Sequence, residues 1–186
     1  MAGNPYDNQP SNRNFLSPTG FKFTINRAPK VAFLGNTANI PSLTLGNAVQ
    51  PTYLKDIDVP GDKIQFEDFT LQFLVDENLE NYMELQNWIR GLGFPDSLQE
   101  IYDWQQKGKA FQETAKGMDI FSDGTLQVQT SNFVPNFQVK FKDMWPYSLS
   151  SLPFDATNTD VEYFTAEVLF KYTIYEITDL SGNPYD

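Results

Sequence analysis

DIDVPGDKIQFEDFTLQFLVD, residues 56–76, carries the pattern from which the fold can be read. Phe69, Leu71, Phe73 and Val75 recur at every second position, with Thr70 and Gln72 between them. Side chains on a strand alternate faces, so this run predicts one dry face and one largely wet one, with Leu74 the exception. Ahead of it, Pro60-Gly61 predicts a reversal of the chain, because Pro presets φ and Gly accepts positive φ. A projecting hairpin rooted in a strong strand suits pairing with a neighbour better than it suits holding a substrate.

The same alternation recurs outward from that stretch. Phe21, Phe23 and Ile25 alternate with Lys22 and Thr24. Ala28-Pro29 breaks this strand, and Val31–Leu34 reads as a short second piece. Ile40–Leu45 enters an extended stretch in which Pro41 and Pro51 remove ladder donors, so these strands belong at edges or bends. Leu79, Tyr82, Met83, Leu85, Trp88, Ile89 and Leu92 then recur at helical spacing, with Asp76 or Asn78 as the cap and Gly91 and Gly93 as the stop. Trp88 on that stripe reads as core rather than as a ligand platform.

The final third returns to strands. Leu126–Gln129 is short, and Phe137, Val139 and Phe141 alternate with Gln138, Lys140 and Lys142. Met144-Trp145-Pro146-Tyr147 reads as an aromatic turn, serving either as a core plug or as an interface anchor. Glu162–Ile177 reads as one strand of roughly 50 Å at about 3.3 Å per residue, long enough that it must bend or extend into an assembly.

Composition narrows the function classes. A chain of 186 residues suffices for one well-cored domain, and 16 Phe and 9 Tyr supply a sheet core where aliphatic residues are few. We expect residues 15–178 to form that domain, with 95–125 a polar variable insertion and 1–14 and 179–186 flexible tails. The tails share the pentapeptide GNPYD, at Gly3–Asp7 and Gly182–Asp186. The formal charge of −11 argues against binding nucleic acid through a basic face, although an acidic wall lets DNA pass without sticking. Lys22, Lys140, Lys142 and Lys171 on wet strand faces read as solvated or salt-bridging positions.

Cysteine and histidine are both absent. That removes disulfides, thiol nucleophiles, His-based triads and His- or Cys-ligated metals, and with them the commonest catalytic and cofactor chemistry. Nucleotide, zinc-protease and hydrolase motifs do not occur. Asp119 and Asp123 lie in MDIFSDG, which reads as a turn without the rest of a calcium loop. Glu67 and Asp68 are strand neighbours that point to opposite faces. We expect no enzyme, no cofactor and no metal. An apolar run of membrane-spanning length and a signal-peptide pattern are both missing, so the chain is expected to fold in a cytoplasm.

Taken in order, these pieces resemble the tail-tube proteins of contractile-tailed bacteriophages and their relatives at the two tube ends. The matching pieces are VPGDK, the strand F-E-D-F-T-L-Q-F, the Trp helix ELQNWI, the MWP corner and the last strand YFTAEVLFKY, together spanning roughly residues 20–177. One departure is Asp143, where that family commonly has Gly before its WP corner. The resemblance implies a mainly β fold: a two-sheet antiparallel sandwich or barrel with one flanking helix, assembling into a hexameric ring. Rings would stack into a virion tail tube, assembled in the host cytoplasm, with sheath and baseplate or neck proteins as partners and DNA passing through the lumen. Six copies would carry about −66 per ring. Inter-subunit and inter-ring contacts are expected at Asp56, Val59, Pro60, Gly61, Asp62 and Lys63, and at Trp145 and Pro146. A tube-end ring, either a baseplate initiator or a terminator, is the nearest alternative. A carbohydrate-binding β-sandwich, with Tyr53, Trp104 or Trp145 as stacking platforms, is the alternative from another class.

Overall fold

The computed structural model describes residues 14–93, 99, 120–155, 157 and 163–184. In chain order it contains β1 (Phe21–Ile25), α1 (Pro29–Phe33), β2 (Gly35–Ala38), β3 (Leu43–Gln50), β4 (Ile57–Phe66) and β5 (Phe69–Leu74). These are followed by α2 (Glu80–Gly93), β6 (Ser122–Gln129), β7 (Pro135–Leu149), β8 (Thr165–Lys171) and β9 (Ile174–Thr178). Most of the 95–125 insertion, Trp104, the first thirteen residues and the last two lie outside the described residues.

Among the described residues, all strand pairs are antiparallel. β1, β6, the first half of β7 and β9 form one sheet, while the second half of β7 joins β8, β5 and β2 in another. β7 crosses between the sheets at Asp143, whose φ of 57° lies in the left-handed region. The Asp143 amide donates to the Asp123 carboxylate at 3.2 Å, which helps to hold the corner.

The two sheets close on each other through their alternating apolar faces. Phe23, Ile25, Leu126, Val139 and Phe141 meet Phe69, Leu71, Phe73, Val168 and Phe170, all buried. Phe69 is the pivot, its ring 4.9 Å from Phe23 and 4.7 Å from Phe141 across the layers. Helix α2 adds Leu85 and Trp88 to this core. The Trp88 ring lies 6.3 Å from Phe170, and its Nε1 donates to the Ile120 carbonyl at 3.2 Å. Trp88 is thus a core residue with its polar edge satisfied. Gly91 is buried within the helix, which runs on to Gly93.

Several local expectations are corrected. Val31 sits in the one-turn helix α1, which Pro29 starts because a fixed φ and a missing N–H suit the first helical position. Gly35–Ala38 after it forms strand β2, paired to β5. The entry to α2 is fixed by buried Asn81, whose Nδ2 donates to Leu74 O at 2.7 Å and whose Oδ1 accepts from Asp76 N at 3.2 Å. Glu162–Ile177 is not one strand. It breaks at Tyr172-Thr173, and the two pieces, β8 and β9, lie in different sheets. The longest strand among the described residues is instead β7, which absorbs Met144–Tyr147 rather than turning there.

Candidate assembly surface

The Pro60-Gly61 pair does not reverse the chain. Both residues lie inside β4, opposite Asn47 and Gly46 of β3, and the reversal comes at residues 51–56. Leu45 pairs with Ile64 and Asn47 with Pro60, so Gly46 alone faces Gly61, Asp62 and Lys63. That is a bulge in β4, and bulges admit Pro and Gly where a regular ladder would not. Pro60 and Gly61 thus bend a projecting arm partway along its length. The hairpin expected to turn at Pro60-Gly61 is therefore absent: residues 57–66 are one strand, and the hairpin runs from Leu43 to Phe66.

This hairpin stands apart from the two sheets as a two-stranded ladder. Leu43, Leu45, Val49, Ile57 and Ile64 on it are about half exposed. A lone pair of strands is marginal in water, and an unpaired, apolar strand edge invites another chain. At the tip, Tyr53 is 101% and Leu54 92% exposed. Thr52 Oγ1 donates to the Lys55 carbonyl and accepts from the Lys55 amide at 3.3 Å, fixing the turn that presents them.

The root of the hairpin is anchored. Phe66 packs edge-on against Tyr172 at 6.0 Å and Tyr175 at 5.6 Å, and both tyrosines also meet Phe141 of the core. Tyr172 Oη donates to Glu67 O at 2.7 Å, and Tyr175 Oη donates to Pro41 O at 3.1 Å. Each strand leaving the body is therefore tied by a phenol to the β8–β9 break. Burial, and after it the neighbouring Tyr175, pushes the Tyr172 phenol well above its ordinary range, so it stays a donor.

Beside this root, Asp68 pairs with Lys171 and accepts from Tyr147 Oη at 2.5 Å. The Lys171 ammonium also lies 5.1 Å from the centre of the Tyr147 ring. Lys142 pairs with Glu176 at 2.7 Å, so two of the wet-face lysines form ion pairs. Among the described residues, no group of His, Cys, Asp or Glu could hold a metal.

The eight residues expected to make contacts divide into two groups. Asp56, Pro60, Asp62 and Lys63 are exposed, and Val59 and Gly61 half-buried, all along the arm from tip to bulge. Pro146 is buried and Trp145 half-buried against the core, because the MWPY segment continues a strand. Pro146 therefore leaves the contact set. The exposed tip pair Tyr53-Leu54 and the root pair Tyr172 and Tyr175 were not among the contacts expected from sequence. A signal for the tip was available in P-T-Y-L-K-D, where Pro51 and Thr52 are turn formers. Tyr53 and Trp145, offered as sugar platforms, lie on the hairpin tip and in β7, on separate elements.

A family model described as phage tail tube protein matches residues 8–178. A search of curated proteins gives no match. Among solved structures, the chain is similar to one from the sheath–tube complex of an extracellular contractile injection system in its extended state. The identity is 14%, the coverage 90% of this chain and 94% of that one, and the TM-score 0.53. It is similar to a chain of the six-fold symmetrised anti-feeding prophage baseplate at 10% identity, covering 92% and 97%, with a TM-score of 0.52. A chain of that prophage's tube-terminating cap matches at 15% identity, covering 96% and 99%, with a TM-score of 0.52. At these identities the likeness is one of fold.

Proposed function

From the premise that this chain belongs to the phage tail tube protein family and is a structural subunit, not an enzyme, we propose that six copies close into a ring through the β3–β4 hairpin. The observation that carries this is the hairpin itself: a separate two-stranded arm with half-exposed apolar side chains, firmly rooted in the core. Laying it against a neighbouring copy covers those side chains and pairs an open edge, which gains the hydrophobic and backbone terms the isolated chain forgoes. Stacked rings then form a conduit for DNA. A formal charge of −11 per copy keeps the lumen wall from adhering to phosphate.

Asp56, Val59, Pro60, Gly61, Asp62 and Lys63 make the contacts between copies in this reading, with Trp145 at the edge of the body. The likeness to chains of a sheath–tube complex and a baseplate supports sheath and baseplate proteins as partners, in the tail of a virion. A tube-end ring is supported by the likeness to a terminating cap, and it would stack on only one face. Size exclusion of the purified chain, followed by negative-stain imaging, tests the proposal. Hollow rings or tubes are the expected result. A monodisperse monomer that shifts only with an oligosaccharide would support the carbohydrate-binding alternative and overturn this one.

A further inference from the structure

The tip of the hairpin and a slot on the body are complementary. β1 is the edge strand of its sheet and β2 the edge of the other. Between these edges, beside α1, lies a slot of about 350 Å³ whose lining includes Phe21, exposed Lys22, Pro29, Ala32, Phe33 and Gly35. Phe33 is 87% exposed there, an unusual setting for a large apolar side chain on a helix of one turn. The tip offers what this slot lacks: the exposed pair Tyr53-Leu54, held by the Thr52 turn, followed by exposed Asp56. Among the described residues, none covers the Tyr53-Leu54 pair or Phe33.

We propose that Tyr53 and Leu54 of one copy insert into the slot between β1 and α1 of a neighbouring copy, with Asp56 facing Lys22. This rests on the ring reading above and gives the hairpin a specific docking place. Three arguments select a second copy as the occupant. Knob and slot lie on the same chain, so identical subunits satisfy each other head to tail, the geometry that closes rings. The charges match, since an exposed cation on the slot meets a carboxylate beside the knob in an otherwise acidic chain. The tip turn is already formed, so docking orders little that is not ordered before contact. At about 3.3 Å per residue, the arm reaches roughly 30 Å, far enough to cross onto an adjoining body.

The absence of cysteine makes the test direct. Tyr53→Cys is combined with Phe33→Cys in one chain, and Leu54→Cys with Ala32→Cys in another, in case the first pair impairs folding. Assembled material is oxidised mildly and run without reductant. The expected result is a ladder of linked oligomers that collapses on reduction and is absent from a control pairing Tyr53→Cys with Glu176→Cys. Charge exchange is the second arm: Lys22→Glu and Asp56→Lys should each raise the concentration needed for assembly roughly three-fold, and together restore it. Hollow assemblies with neither ladder nor charge rescue would overturn the docking site and leave the ring standing. Failure of the unaltered chain to assemble at all would overturn both.

Discussion

Gly61 approaches Gly46 so closely that a β-carbon on Gly61 would lie 2.5 Å from the Gly46 carbonyl oxygen. No flexible side chain is involved, so only the backbone could yield. Gly61→Val is therefore expected to force the two hairpin strands apart at the bulge while leaving the sandwich folded. The thermal midpoint of the isolated chain should barely move, and assembly should be lost. Imaging and calorimetry of the same preparation check this, and normal tubes from the variant would count against the arm as the contact.

Asp143 holds a left-handed φ of 57° where β7 passes between sheets. Asp tolerates that conformation better than most residues, and Gly better still. Asp143→Gly keeps the amide that bonds Asp123 and relieves the left-handed φ, so it is expected to be neutral or stabilising by up to about 1 kcal/mol. Asp143→Val should cost about 1–3 kcal/mol, because a β-branched residue resists positive φ. Denaturant titration of the two variants separates them.

Asn81 is buried and its side chain bridges the end of β5 to the start of α2, accepting also from Tyr82 N at 2.8 Å. Asn81→Ala leaves the Leu74 carbonyl and two amides without it, and should cost about 1–3 kcal/mol. Asn81→Asp should cost more at neutral pH, since a carboxylate would face the Leu74 carbonyl. Urea midpoints give the order.

Partial burial pulls the Asp68 carboxyl upward, but its bonds from Lys171 and Tyr147 outweigh this and hold it below the ordinary carboxylate range. Its contribution to stability is present above about pH 3.9 and is lost as pH falls through the depressed folded value. Tyr147 moves the other way: its bond to Asp68, then burial, raises the phenol. That contribution is complete below about pH 10 and is lost as pH rises through the raised folded value. Asp68→Asn should return the Tyr147 titration toward ordinary tyrosine. Phenolate absorbance, compared with and without Tyr147→Phe in each background, reads the shift, and an unmoved titration would contradict the pairing.

The sandwich was legible because its strands obey a period of two: Phe69, Leu71 and Phe73 face inward as their spacing requires. The Trp88 helix was legible through its 3.6-residue stripe. What sequence misjudged were places where geometry depends on a partner strand. Pro60-Gly61 has turn chemistry, but opposite Gly46 the same chemistry makes a bulge. Likewise, nothing in YFTAEVLFKYTIYEIT announces that Tyr172 leaves one sheet and Tyr175 enters the other. At the break the two tyrosines grip the hairpin root, a contact between residues more than a hundred positions apart in the chain. The reversal expected at Pro60-Gly61 falls instead at residues 51–56, where Pro51 and Thr52 were the sequence signal, while the anchor of the arm was visible only in three dimensions.

Amide hydrogen exchange across Leu43–Phe66, compared between isolated chains and assembled material, tests hairpin docking most directly. Strong protection of β3 and β4 on assembly, with the sandwich amides changing little, is the expected result. Assemblies in which these amides exchange as fast as in the isolated chain would contradict it.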